Sequence, residues 1–328
     1  MGLEEGLLIG AQTACSIMMP HQTPAHDEIG LRFAAMACNA DIRLAGLPER
    51  QARALADRAV AEVRRIEHKF SRYRADSIVA RINASAGNGV FIDVDDETAH
   101  LLGFAEQLWQ LSDGLFDITS GVLRRAWDFN TPRLPEASAL EALRPLIGWD
   151  KVQWQVAEAG QSARVRLLHP GMQLDFGGFG KEYAADRAAT LLMESGVQHG
   201  YVNLGGDLRL MGPQRDGRPW QIGISHPRQA GSFAASLSLL NGALATSGDY
   251  ERFFELGGQR YCHILDPQTM QPARHWQSIS VVAPVCTAAG AITTIAMLKQ
   301  AQAAAFLATQ GVSWLGIDHT GQVHGHGL

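Results

Sequence analysis

The sequence predicts an α+β protein in which mainly antiparallel sheets are covered by helices, and three observations support that class. Apolar residues recur at helical spacing over Pro48–Phe70 (Ala52, Leu55, Ala59, Val63, Ile66 and Phe70) and again over Tyr183–Ser195. Short runs such as Trp220–His226 and Phe233–Leu240 alternate like strands. Gly257-Gly258 joins Arg252–Glu255 to Arg260–Leu265 as a tight hairpin, which only antiparallel neighbours can form.

The bulk numbers fit this class. The chain has 328 residues, 46% hydrophobic and 19% charged, with a net charge of -5, so a sizeable core is available and nothing basic points to nucleic acid. Cys15, Cys38, Cys262 and Cys286 are widely spaced and contain no CxxC pair, which excludes a sequence-evident zinc site or disulfide framework and leaves small buried hydrophobes.

In chain order, residues 1–30 read as a loosely ordered arm. Its mildly apolar run, Leu7–Met19, follows Glu4 and Glu5, and no Lys or Arg occurs before Arg32, so a secretory signal is not expected. Gln12-Thr13-Ala14 before Cys15 is a poor lipoprotein box. A cytoplasmic protein follows, and no run is expected to reach the ~18 apolar residues that cross a bilayer.

Ordered structure is expected from Leu31, where Leu31–Leu44 reads as a strand or bent pair of strands, followed by the Pro48–Phe70 helix. Asp76 can cap a short helix over Ser77–Ile82, and another helix spans Asp96–Ser112 up to the turn at Asp113-Gly114. In GLFDIT, Asp117 or Thr119 is an N-cap for a helix carrying Leu123 and Trp127. Pro132–Pro145 gives a loop and short helix, and Val152–Leu168 two strands joined at Ala157–Gly160.

At Leu174–Gly212 a glycine-rich turn (Gly177, Gly178, Gly180), a helix opening at Lys181 and a second turn at Gly205-Gly206-Asp207 follow one another. Glycines before a helix N-terminus admit an anion or a close backbone approach. The spacing matches neither GxxxxGK[ST] nor GxGxxG. Thr246–Asp249 reads as a polar turn, His263 lies in a strand that Asp266-Pro267 breaks, and Ser278–Val285, Thr287–Lys299, Ala301–Gln310 and Val312–Ile317 close the chain as strand, two helices and strand.

Taken together, SRY..DS...R.N (Ser71–Asn83), GLFDIT (Gly114–Thr119), LDFGGFGKEYAAD (Leu174–Asp186), VNLGGD (Val202–Asp207), ATSGDY (Ala245–Tyr250), HILDP.T (His263–Thr269) and A..T (Ala291–Thr294) resemble, in order, the motifs of the ApbE family. Its members are FAD:protein FMN transferases. The resemblance spans about residues 31–318 and implies a T-fold-like architecture, one domain over residues 31–328 of two interlocked subdomains with FAD in the cleft between them. It also implies magnesium-assisted breakage of the pyrophosphate, passage of FMN to a threonine hydroxyl of a flavoprotein, and release of AMP.

By the same resemblance, Met36 and Tyr73 line the flavin or adenine pocket, and Phe116, Asp117, Asp175, Lys181, Thr246 and Ser247 attend the nucleotide. His263 is the general base, supported by Asp266 and suited by an ordinary pKa near ~6.5. The metal falls to Gly180, through its carbonyl, and Thr294, because the aspartate that family members carry in the last block is Gly290 here. Two neutral oxygens make a weak site for a hard cation. Glu182, Asp207 and Asp249 are candidates to replace the lost acid. Other departures are Lys181-Glu182 in place of KG, Thr269-Met270 in place of TG, and Met36-Ala37-Cys38 in place of MGT. Three activities follow: the transferase with a rearranged metal site, an FAD pyrophosphatase giving FMN and AMP, or an FAD-binding paralogue without chemistry.

Overall fold

A computed structural model of the chain describes residues 17–18, 28–156 and 162–328. Most of the arm at 1–30 and the expected turn at 157–160 lie outside the described residues. Within the arm, Ile17–Met18 forms strand β1, and β2 (Glu28–Ala35) turns into β3 (Cys38–Ala45) through Met36 and Ala37. Helix α1 (Glu49–Lys69) buries Leu55, Ala59, Val63 and Ile66 along one stripe, as the apolar spacing requires. The helix α2 (Ile78–Ala84) is capped by Ser77 rather than Asp76, because the Ser77 hydroxyl accepts from the Ala80 N–H at 2.9 Å.

Next come β4 (Ile92–Val94), α3 (Asp96–Leu111), a 3-10 segment Ile118–Arg125 and α4 (Ala137–Leu143). Strands β5 (Val152–Gln155) and β6 (Ala163–Leu167) pair antiparallel, with β4 on the far side of β6. Helix α5 (Gly180–Glu194) leads into β7 (Gly200–Leu204), β8 (Asp207–Leu210), β9 (Trp220–Ser225), β10 (Phe233–Leu239) and β11 (Gly242–Gly248). The hairpin β12 (Phe253–Leu256) and β13 (Gln259–Cys262) turns on Gly257 (φ 60) and Gly258 (φ 72), the left-handed pair that a two-residue hairpin needs. Strand β14 (Trp276–Ala283), helices α6 (Cys286–Lys299) and α7 (Ala303–Gln310), and strands β15 (Ser313–Asp318) and β16 (Val323–His326) complete the fold.

The main sheet has eight strands in the order β16-β15-β14-β11-β8-β7-β3-β2, and each neighbouring pair is antiparallel. Helices α1, α5 and α6 pack on one face around Ala184, Ala188, Ala289 and Ile295. On the other face, β9 and β10 contribute Trp220, Ile222, Ile224 and Leu237 to a separate cluster with Tyr201, Leu208 and Leu210.

The residues expected as a polar turn, Thr246–Gly248, are instead the end of β11 and pair with Ser280, Ile279 and Ser278 of β14. A buried bond of 2.7 Å between the Thr246 and Ser280 hydroxyls satisfies the polar side chain there, so strand pairing overrides turn-like composition. His263 lies just past the end of β13 rather than within it.

By length and hydropathy, the helical stretch Cys286–Gln310 matches a bilayer-crossing segment, contrary to expectation. Here α6 packs on the sheet beside α5, and the stretch is interrupted at Gln300, whose φ is 51°. An apolar composition of this kind also suits a helix buried on several sides. Of the cysteines among the described residues, Cys262 and Cys286 are buried as expected, and Cys38 is only partly buried.

Candidate active site

A cleft of ≈ 510 Å³ opens beside the N-terminus of α5, a size suited to a small-molecule ligand. One wall carries Met36, Arg72, Tyr73 and Phe116, the floor carries Asp175, Gly180 and Lys181, and the opposite wall carries Thr246, Ser247, His263 and Thr294. The fold therefore gathers side chains that lie far apart in the sequence. Asp266 is the exception among the expected residues. It does not line the cleft: its Oδ1 accepts from the N–H groups of Gln268 (2.7 Å) and Thr269 (3.1 Å), so its work is to hold the turn that follows His263.

The wall is shaped by short local motifs. Asp117 Oδ1 accepts from the Thr119 N–H (2.8 Å) and hydroxyl (2.6 Å), while Oδ2 accepts from the Trp149 N–H (2.9 Å). Burial pushes this carboxyl above its usual range despite those bonds. Asp117 thus borders the cleft as the N-cap of the 3-10 segment, with its oxygens committed, and it aims the adjacent Phe116. Gly178 is required beside that ring, because a Cβ there would stand 2.9 Å from Phe116 Cζ. Close approach, and not positive φ, explains Gly178: Gly177, Gly178 and Gly180 all lie outside the left-handed region, and a Cβ at Gly180 would meet only Phe176 at 3.9 Å.

Met36 and Ala37 do take left-handed angles, with φ of 51° and 58°. Side chains are strained in that region, and two such residues at a cleft rim mark a backbone held in place by its surroundings. The Met36 N–H donates to Glu67 at 2.5 Å, which pins the turn to the end of α1. Tyr73 is 81% exposed, so its ring is available to a ligand or partner at the rim. Asp175 is held by Arg72 at 2.8 Å and by the Gly177 N–H at 2.8 Å.

Charge is concentrated at the floor. Lys181 Nζ lies 2.5 Å from Asp207 Oδ2. Burial alone would depress the lysine, but Asp207, Glu251 and Glu182 outweigh it and hold Lys181 charged. Burial, and then the neighbouring Asp207, push Glu182 up to about 8. Glu182 Oε2 is buried and meets no hydrogen-bond donor among the described residues. On the opposite wall the Ser247 hydroxyl meets those of Thr293 (2.9 Å) and Thr294 (3.2 Å).

His263 departs from the ordinary imidazole expected for it. Burial, then the positive charges of Arg252, Arg124 and Lys181, push it down to about 3, so the ring is neutral; its buried Nδ1 has no hydrogen-bond partner among the described residues. Arg124 and Arg252 were not evident from spacing. Each follows a recognisable motif, GLFDIT and ATSGDY, without being part of it, and only the fold turns both toward His263. Neither forms an ion pair among the described residues, so together they make the wall electropositive.

The profile of the ApbE family matches residues 36–315. The chain is 30% identical over 236 residues to the FAD:protein FMN transferase of Haemophilus influenzae, covering 70% of this chain and 68% of that one. It is 34% identical over 245 residues to the FAD:protein FMN transferase of Rhodobacter capsulatus, covering 74% of this chain but 46% of that longer protein. The crystal structure of the ApbE protein from Thermotoga maritima superposes with a TM-score of 0.83 at 31% identity, covering 92% of this chain and 97% of that one. With motifs, fold and cleft in agreement over most of its length, the chain belongs to the ApbE family.

Proposed function

We propose that this chain is an FAD:protein FMN transferase that moves FMN from FAD to a threonine hydroxyl of a flavoprotein. The observation that carries the reading is the meeting, in one cleft, of a neutral histidine, two arginines and a glycine-bordered helix N-terminus. An anionic pyrophosphate suits Arg124, Arg252 and the α5 N-terminus. The threonine oxygen bonds to the phosphorus on the flavin side, the bridging P–O bond breaks, and AMP leaves with the electron pair. His263 takes the hydroxyl proton. Its depressed basicity reflects the same positive field, and a bound pyrophosphate counters that field and restores the ring as a base. Tyr73 offers an exposed aromatic face to the flavin or adenine, and Phe116 borders the same cleft as a largely buried ring.

Magnesium belongs to this proposal. The floor suits a hard cation, because Gly180, the Thr294 hydroxyl and the buried Glu182 carboxyl, whose Oε2 meets no donor among the described residues, line the same cleft. When bound, the ion would neutralise charge on the phosphoryl oxygens.

The test is incubation with FAD and magnesium, with and without a threonine-bearing flavoprotein, followed by chromatography for AMP and mass spectrometry of the acceptor. An added FMN mass with AMP release is expected. Replacing His263 with Ala should cut transfer by ~10²–10⁴-fold with FAD still bound. AMP and free FMN from every acceptor tried would identify a pyrophosphatase, and intact bound FAD would identify a paralogue without chemistry.

A further inference from the structure

Helices α5 and α6 run antiparallel and are clamped at one point. Both carboxylate oxygens of Asp186 on α5 accept from the first N–H groups of α6, Cys286 at 2.8 Å and Thr287 at 2.7 Å. One turn away on each helix, Glu182 faces Gly290. A Cβ built at Gly290 would lie 2.5 Å from Glu182 Cγ and 2.8 Å from its Oε1, distances that real Cβ atoms do not adopt. The Glu182 side chain therefore occupies the space into which any side chain at position 290 would grow. Its Oε2 is buried, and no donor among the described residues reaches it. Thr293, on the same helix as Gly290, donates its hydroxyl to the Gly290 carbonyl at 2.9 Å, and Thr294 lines the cleft beside Glu182.

We propose that Glu182 is the cation-binding carboxylate of this protein: the acid stands on α5 and reaches across to α6, and Gly290 is the vacancy that admits it. The proposal rests on the transferase reading for the role of the ion, not for its binding. Once the ion displaces its proton, the Glu182 carboxyl together with the Thr294 hydroxyl on the same cleft is an oxygen donor set for magnesium or manganese. Lys181 is paired with Asp207, which also borders Glu182. Asp249, the other acid considered from sequence, is held by Arg228 at 2.6 Å and does not line the cleft.

The experiment is titration of Mn2+ into the full chain, followed by its electron spin resonance signal, with FAD binding read in parallel from flavin fluorescence. Glu182→Gln keeps the shape of the side chain and should weaken Mn2+ at least ~10-fold while thermal unfolding stays cooperative. Gly290→Asp alone should not tighten Mn2+ and should lower the melting temperature, because two side chains then compete for one space. The double variant Glu182→Gly with Gly290→Asp moves the acid to the other helix and should recover Mn2+ binding. Unchanged Mn2+ affinity in Glu182→Gln, or no Mn2+ binding by the wild type with or without FAD, overturns the proposal. Loss of Mn2+ in Glu182→Gln in a protein that does not bind FAD supports the cation site while removing the transferase reading.

Discussion

The two faces of the main sheet are built by opposite rules. Toward β9 and β10 the contacts are Trp220, Tyr201, Ile222, Leu208 and Leu237, large apolar groups with the indole N–H of Trp220 satisfied by the Gly212 carbonyl at 2.9 Å. Toward α5 and α6 the contacts mix small residues (Ala184, Ala188, Ala289, Gly290 and Thr293) with Leu192, Ile295 and Met297, and at the cleft end Glu182 and Asp207 are buried with Lys181 half-buried beside them. Small side chains let helices and strands approach closely, and that closeness places ionisable groups where water cannot satisfy them. The apolar face contributes stability alone; the other face gives up part of its stability to keep charges in place.

That contrast can be tested. The largest expected effect is on the apolar face. Trp220 is fully buried, so Trp220→Ala should cost about 3–5 kcal/mol in urea unfolding, while the fraction that remains folded binds FAD normally. A matching loss of FAD affinity in the folded fraction would show that the two faces are not separable.

A smaller effect should appear on the cleft side as a response to acid. His263 is held near 3 when folded and near its ordinary ~6.5 when unfolded. Between those values the unfolded chain binds the extra proton, so stability falls as pH falls through that window. By pH 5 this single group should account for roughly 1–2 kcal/mol, and His263→Gln should remove that share of the acid sensitivity. The smallest effect is at the rim. Because Tyr73 is largely exposed, Tyr73→Ala should leave the melting temperature unchanged and weaken FAD by about 1 kcal/mol, read by flavin fluorescence.

Local signals in the sequence were the most legible. The α1 stripe, the Gly257-Gly258 hairpin and the break between α6 and α7 depend on neighbours within a few residues, and periodicity and turn chemistry report those directly. The order of motifs also pointed to the residues that meet at the cleft. What remained hidden depends on partners distant in the chain. Thr246–Gly248 has the composition of a turn, and only the pairing with β14 makes it a strand. Asp266 has the residue type of a catalytic acid but is taken up by its own turn. Arg124 and Arg252 carry no spacing signal, because their proximity to His263 is created by the fold.

The contact between Glu182 and Gly290 has a historical consequence. The space between the helices holds one side chain, supplied from one position or the other, so the two positions constrain each other's substitution. A lineage that acquires a side chain at 290 before losing Glu182 passes through a crowded intermediate, and one that loses Glu182 first passes through a cavity. Either path makes the first step deleterious and the second compensatory. Homologous sequences should therefore show the two positions changing as a pair, and a motif that inspects either position alone will misjudge which chains carry the acid.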